Sequence, residues 1–238
     1  MPWKVVQEEQ PSNPRRDWDP FGTMICFHRR YDLGDKTKLK FEQFKGWANL
    51  KAYLEIGFEE EQAKVILPLF LLDHSGLALR TGAFHEDPQG WDSGQVGFIY
   101  ATKAQIEKEY GSITPETLAK AKGRLESEVK TYDMYLQGDV YCALVTDMDG
   151  EVVDSLGDIY GHEEAEKEAQ RMEEALLKKD PDALKKQYTV LLRRGTEEPF
   201  EVHVRADDGK KALQKAVRGK KGAKPLCAVG GHAAMVLP

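Results

Sequence analysis

Long apolar runs are missing from this sequence of 238 residues. The longest run is VILPLFLL, from Val65 to Leu72, far below the roughly 20 residues that a transmembrane helix needs. The N-terminal segment MPWKVVQEEQPSNPRRDWDP lacks the apolar core of a secretory signal. We therefore expect a soluble, cytoplasmic protein that makes no contact with a membrane.

Cysteine is scarce, and the common cofactor signatures are absent. Cys26, Cys142 and Cys227 are odd in number and lie far apart, which favours free thiols in a reducing compartment. The sequence contains no Walker A loop, dinucleotide glycine fingerprint, C-x-x-C pair or G-x-S-x-G elbow. We therefore expect no cofactor and no resident metal, and the sequence assigns no catalytic residue.

The net charge of −6 is unevenly distributed along the chain. From Gln187 onward, ten Lys and Arg residues accompany five Asp and Glu, whereas the preceding residues carry 24 and 35. This shift follows Asp180-Pro181, a pair typical of the start of a new element. We predict a main domain over 1–180, with an extended arm over 1–20, and a small basic domain over 187–238.

Apolar periodicity predicts the secondary structure. Strands are expected over 22–31, on both sides of 73–76, over 95–102, on both sides of the turn at 147–150, and in three segments of the basic tail. Helices are expected over 40–58, after Thr102, from Thr114 to Gly138, over 161–179 and after Asp207 or Asp208. This order predicts an α+β protein, with antiparallel sheets covered by helices on one face and a C-terminal ββαβ module.

The segment CFHRRYDLGD, residues 26–35, carries seven chemically active side chains in ten residues. In a strand, His28 and Arg30 would share one face, and Arg29 and Tyr31 the other. His28 and Arg30 could bind a phosphate or carboxylate. Arg29 and Tyr31 could equally form a solvated pair beside a core Phe27.

Two loops, RDWDPFG at 16–22 and GWDSGQVG at 90–97, each place a tryptophan beside an aspartate. Tryptophan, arginine and acidic residues in loops are typical of a binding surface, although buried tryptophans rimmed by charge would give the same pattern. Our hypothesis is one exposed recess built from residues 17–35, 73–76 and 90–95. Its candidate binding residues are Trp18, Asp19, His28, Arg29, Arg30, Tyr31, Asp73, His74, Ser75, Trp91, Asp92 and Ser93.

Two turns contain catalytic residue types without a catalytic spacing. DHSG, 73–76, holds Asp, His and Ser in consecutive positions, whereas a triad assembles them from separate points, so a turn is favoured. In the turn that begins at Asp147, the glycine is the fourth residue, Gly150. The calcium-binding loop of an EF-hand has its glycine at the sixth position, so this turn does not fit that loop. A metal-assisted hydrolase or nuclease that uses His28, His74, Asp73 and Asp92, with His85 as a further ligand, remains an alternative.

The basic tail offers a third hypothesis, binding of a nucleic acid through clustered lysines and arginines. A solvated helix face would show the same charges, and no aromatic residue for base stacking is interleaved with them. The candidate residues are Lys210, Lys211, Lys215, Arg218, Lys220, Lys221 and Lys224.

Several motifs in order resemble a family of uncharacterised phage and prophage proteins. They are WDPFGTMICFHRRYDLGD, the DHSG turn, WDSGQVGFIY followed by EYG, and VKTYDMYLQGDVY, and the likeness spans residues 17–161. The resemblance implies a cytoplasmic protein of an infected or lysogenic host cell, where small accessory proteins bind and disable host factors. It brings no catalytic residues. We therefore expect a phage-type accessory protein that binds a host protein or a small anionic ligand, in an oligomeric state left open.

Overall fold

A computed structural model describes residues 2–57, 61–230 and 235–236. The chain forms two compact units: a central unit over Glu9–Val140, and a terminal unit that joins the residues up to Glu8 with those from Tyr141 onward. The predicted boundary between 180 and 187 lies inside the terminal unit, between two of its sheets, and stays a prediction. No helix in the described ranges is long and apolar enough to cross a membrane.

The described strands pair into three antiparallel sheets, and the predicted α+β class is confirmed. The strands are β1 Trp3–Gln7, β2 Thr23–Cys26, β3 Ala63–Asp73, β4 Leu77–Arg80, β5 Ser93–Thr102, β6 Val140–Thr146, β7 Val152–Tyr160, β8 Gln187–Arg194, β9 Phe200–Arg205, β10 Ala223–Gly230 and β11 Met235–Val236. The α-helices are α1 Trp47–Ile56, α2 Lys103–Tyr110, α3 Pro115–Gln137, α4 His162–Lys179 and α5 Gly209–Val217.

The central unit is built around one sheet with the order β2-β5-β3-β4. Alternate residues of each strand face opposite sides, so Met24 and Ile99 pack against α2 and α3, while Ile25 and Phe98 pack against α1. Helices therefore cover both faces of this sheet, whereas the sequence predicted helices on one face only. This double cover explains the unbroken apolar run Val65–Leu72, which forms the middle of β3.

The predicted helix ends in the central unit are confirmed. The Thr102 hydroxyl accepts the amide of Gln105 at 3.2 Å, and the Gln105 side chain accepts the amide of Thr102 at 2.8 Å, which completes a capping box at the start of α2. The hydroxyl of Thr114 caps α3 in the same way. That helix ends at Gly138, whose φ of 71° is the left-handed conformation that glycine adopts without strain.

A buried guanidinium ties the segment before β2 to the core of the central unit. Arg15 donates to both carboxylate oxygens of Asp35, at 2.9 and 2.6 Å, and to Glu128 at 2.8 Å. Its side chain is 1% exposed. Glu128 of α3 also accepts the amide of Phe21 at 2.7 Å, so one ionic cluster fixes the path of the chain into β2.

The terminal unit contains the other two sheets. The first, with the order β1-β6-β7, packs on α4 through Ala143 and Ala169. The second has the order β11-β10-β8-β9 and packs on α5, so the predicted order strand, strand, helix, strand is confirmed for the tail. Asp208 caps α5 by accepting the amide of Lys211 at 2.8 Å.

Two predicted elements near the N-terminus are wrong in their extent. Residues Trp3–Gln7, expected in an extended arm, form β1, because β6 supplies a distant pairing partner. The helix expected from residue 40 begins at Trp47, since Gly46 has a φ of 127° that a helix cannot contain. The predicted C-terminal residue of that helix, Phe58, lies outside the described residues.

Candidate binding site

Two adjoining recesses lie beside the chain that leaves β2, and both are lined by Phe27, His28, Arg29 and Arg30. The first recess encloses about 700 Å³ and is also lined by Cys26, residues 31–33 and residues 39–42. The second recess encloses about 430 Å³ and is also lined by Leu71, Asp73 and residues 91–96. Three parts of the hypothesised surface therefore meet here.

The segment after Cys26 is a turn, so the expected strand through Tyr31 is wrong. Phe27 still donates its amide to Val96 of β5 at 2.7 Å. Beyond it, the Nδ1 atom of His28 accepts the amides of Arg30 and Tyr31, at 3.4 and 3.3 Å. A side chain that satisfies backbone donors in this way replaces the strand ladder.

The turn brings His28 and Tyr31 to the same side, whereas a strand would separate them. Their rings stack with centroids 4.9 Å apart and planes 8° from parallel. Burial, together with the Arg30 guanidinium, lowers the pKa of His28 below its usual value. A neutral imidazole has a free nitrogen lone pair, which agrees with its role as an acceptor for two amides.

Arg30 is occupied by an internal partner. Its Nη2 atom forms an ion pair with Oδ2 of Asp73, and the hydroxyl of Tyr31 donates to Oδ1 of the same carboxylate at 3.3 Å. The Arg30 guanidinium carbon also lies 5.4 Å from the centroid of the Tyr31 ring. The ion pair between Arg30 and Asp73 therefore links two lining residues of the second recess.

Arg29 differs from Arg30 in having no internal partner. Its side chain is exposed and lines both recesses. Within the described part of the chain, it forms no hydrogen bond and no ion pair. A guanidinium presents donors in a planar fork that suits a carboxylate or a phosphate, so Arg29 is a cation available to a ligand in both recesses.

The DHSG segment is the turn that the sequence predicted. His74 donates its amide to the carbonyl of Gly76 at 3.1 Å, and Ser75 lies in the left-handed region with a φ of 57°. The imidazole Nδ1 of His74 lies 3.0 Å from Oδ2 of Asp92. The His74 side chain thus pairs with Asp92, in the loop before β5, rather than with the neighbouring Ser75.

Asp87, which the sequence analysis did not single out, organises the loop that carries Trp91. Its carboxylate accepts the amides of Trp91, Asp92 and Ser93, at 3.1, 2.9 and 2.8 Å. Burial alone would raise the pKa of Asp87, but these amides lower it below the usual value. The Asp87-Pro88 pair and Gly90 mark a turn, although the sequence did not show which amides the carboxylate would bind.

The first half of the same loop is fixed by Arg80, another residue that sequence reasoning missed. Its guanidinium lies 3.8 Å from the centroid of the buried Phe84 ring. It also donates to the carbonyl of Ala83 at 2.8 Å and pairs with Glu86 at 2.8 Å. Side-chain contacts therefore hold both halves of the loop between β4 and β5.

This ordered loop presents Trp91 to solvent, with 82% of its surface exposed. The indole belongs to the lining of the second recess together with Arg29. Tryptophan and arginine are enriched among the residues that dominate binding energy in protein interfaces.

Trp18 and Asp19 do not join the two recesses. They line a separate pocket of about 220 Å³, together with Pro14, Pro20 and Arg124. The structure thus brings together the turn after β2, the DHSG hairpin and the second tryptophan loop, and leaves the first tryptophan loop elsewhere in the central unit.

Comparisons with known proteins identify no relative. No family model, no curated protein and no solved structure matches the chain. The resemblance to phage proteins stays a prediction, and the chemistry of the site has to be argued from its own residues.

Metal ligands are not gathered at the recesses. Among the residues described, no group of three or more His, Cys, Asp or Glu side chains is placed to hold a metal ion. In the turn at Asp147, the carboxylate accepts the amides of Asp149 and Glu151 at 2.9 and 3.0 Å. Asp149 pairs with Lys186 at 2.5 Å, so these side chains have structural partners.

The basic tail is partly neutralised by its own acidic residues. Lys211 pairs with Asp207 at 2.6 Å, and Lys215 pairs with Asp182. Lys215, together with Lys185, lowers the pKa of Asp182 to about 2. Of the residues predicted to bind a nucleic acid, five form no ion pair in the described ranges: Lys210, Arg218, Lys220, Lys221 and Lys224.

Proposed function

We propose that this chain is a binding protein that engages a protein of its host cell through the two recesses beside the turn after β2. The observation that carries the proposal is the pairing of an exposed Trp91 with an unpartnered Arg29 on the lining of one recess. The partner would present an apolar side chain to the indole and a carboxylate to the guanidinium.

The chemistry of the recesses supports binding rather than turnover. Two polar groups that could act as an acid or a base already have internal partners: His28 accepts two amides, and Asp73 contacts Arg30 and Tyr31. These contacts link the side chains of the recess wall to one another and to the backbone. Rigid surfaces bind more tightly because fewer side chains have to be ordered on association.

A small anionic ligand is the second candidate, and Arg29 is the observation that favours it. The first recess combines Arg29 and Lys40 with the acidic residues Asp32 and Glu42. This mixed charge suits an anion of defined shape better than a polyanion. A protein partner accounts in addition for the exposure of Trp91.

The test is a quantitative capture experiment with the immobilised full chain and a bacterial lysate. The variants Arg29→Ala and Trp91→Ala should each reduce the amount of the captured protein at least about tenfold, as expected for residues at the centre of an interface. Rising salt should weaken the capture by wild type more than that by Arg29→Ala, because the ion pair is screened.

Two matched control variants distinguish binding through this surface from nonspecific capture. Trp18→Ala removes another exposed tryptophan, and Arg193→Ala removes an exposed arginine of the terminal unit. Both should capture as wild type does. If Arg29→Ala and Trp91→Ala also capture as wild type does, the proposed surface is not the binding site.

A further inference from the structure

We infer that Asp87 is a positioning residue that presets Trp91 for the partner. The inference rests on the proposed function, because Trp91 matters only if the recess binds something. Asp87 itself lies outside the recess lining, so it would act through the loop and not by contact with the partner.

The carboxylate of Asp87 binds several backbone donors at once. Three consecutive amides, those of Trp91, Asp92 and Ser93, point to one carboxylate. Successive amides that converge on one anion fix the backbone dihedrals between them. The direction in which the Trp91 side chain leaves the loop is thereby set before any partner arrives.

The loop that carries Trp91 is also connected to the rest of the recess. The carbonyl of Asp92 accepts the amide of Asp73 at 2.8 Å, and its carboxylate meets the His74 imidazole at 3.0 Å. Asp73 in turn holds Arg30. Asp87 therefore fixes Trp91 relative to the turn after β2.

An unordered Trp91 would bind a partner more weakly than an ordered one. An exposed indole has little packing of its own to hold it, and a flexible loop would have to be ordered when the partner binds. Removal of the Asp87 carboxylate should therefore weaken binding about tenfold, the effect of ordering one or two loop residues.

The free protein gives the first measurement. Asp87→Ala should accelerate amide hydrogen exchange at Trp91, Asp92 and Ser93 at least about tenfold, while Asp19→Ala, a control at an exposed aspartate, leaves these amides unchanged. If Asp87→Ala fails to fold, Asp87→Asn replaces it: one acceptor oxygen remains, so exchange should accelerate at one or two of the three amides. Unchanged exchange at all three amides would overturn the inference.

A double-mutant cycle on the captured protein gives the second measurement. Asp87→Ala should lower capture about tenfold in the wild-type background and less than about twofold in Trp91→Ala. An equal loss in both backgrounds would show that Asp87 acts on general stability, and would overturn the inference. If Trp91→Ala alone leaves capture unchanged, the proposed function has failed, and the exchange rates still decide whether Asp87 holds the loop.

Discussion

Arg15 and Asp35 form a bidentate ion pair in the interior of the central unit, with donor–acceptor distances of 2.9 and 2.6 Å. Glu128 neutralises the remaining side of the same guanidinium. The cluster lies between the chain entering β2 and helix α3, and the turn that bears the candidate site leaves the other end of β2. The position of the site therefore depends on these charges.

Arg15→Ala should destabilise the fold by about 3–5 kcal/mol, because it leaves two carboxylates in a mostly buried position without their partner. Urea unfolding followed by circular dichroism measures the change. Arg16→Ala is the matched control: Arg16 pairs with Asp32 near the surface, and its loss should cost less than about 1 kcal/mol. Equal effects of the two substitutions would contradict the structural role given to Arg15.

Gly97→Ala should destabilise the central sheet by about 1–3 kcal/mol, the usual cost of forcing extra atoms into a packed site. A Cβ atom on Gly97 would lie 1.9 Å from the carbonyl oxygen of Ile25, so β2 would have to move. Gly94→Ala in the same strand meets no atom within 4 Å and should leave the unfolding midpoint nearly unchanged. Thermal unfolding of the two variants provides the comparison.

Cys26 should react slowly with alkylating reagents in the folded protein. Burial raises the pKa of its thiol to about 12, with a further contribution from Asp35. At pH 8 only a very small fraction of these thiols would be the reactive thiolate. Iodoacetamide labelling followed by mass spectrometry should show slow modification that speeds up as the pH rises and becomes rapid in denaturant. Rapid modification of folded protein at pH 8 would contradict this environment.

The fold was largely predictable because its signals are local. The caps at Thr102 and Thr114 and the end at Gly138 depend on residues three or four positions apart, and they were read correctly. β1 was missed because its hydrogen-bond partner, β6, lies far away in sequence. A short segment with a distant partner carries little pattern of its own.

The candidate site was predictable by residue type and not by geometry. Arg29 and Trp91 were among the candidate residues, and the structure places both on the second recess. The sequence assigned an anion to His28 and Arg30, however, and Arg30 is paired with Asp73. The strand expected through Tyr31 failed because the His28 side chain accepts the backbone amides there. Asp87 was overlooked because its role depends on a loop conformation that composition does not encode.

The most direct test of the account is a map of the captured partner's footprint on this chain. Hydrogen–deuterium exchange would be compared for the free protein and for the complex eluted from the lysate. We predict protection concentrated at residues 27–31, 73–76 and 90–96. Protection confined to the pocket at Trp18 or to the basic tail, with these three segments exchanging as in the free protein, would contradict the account.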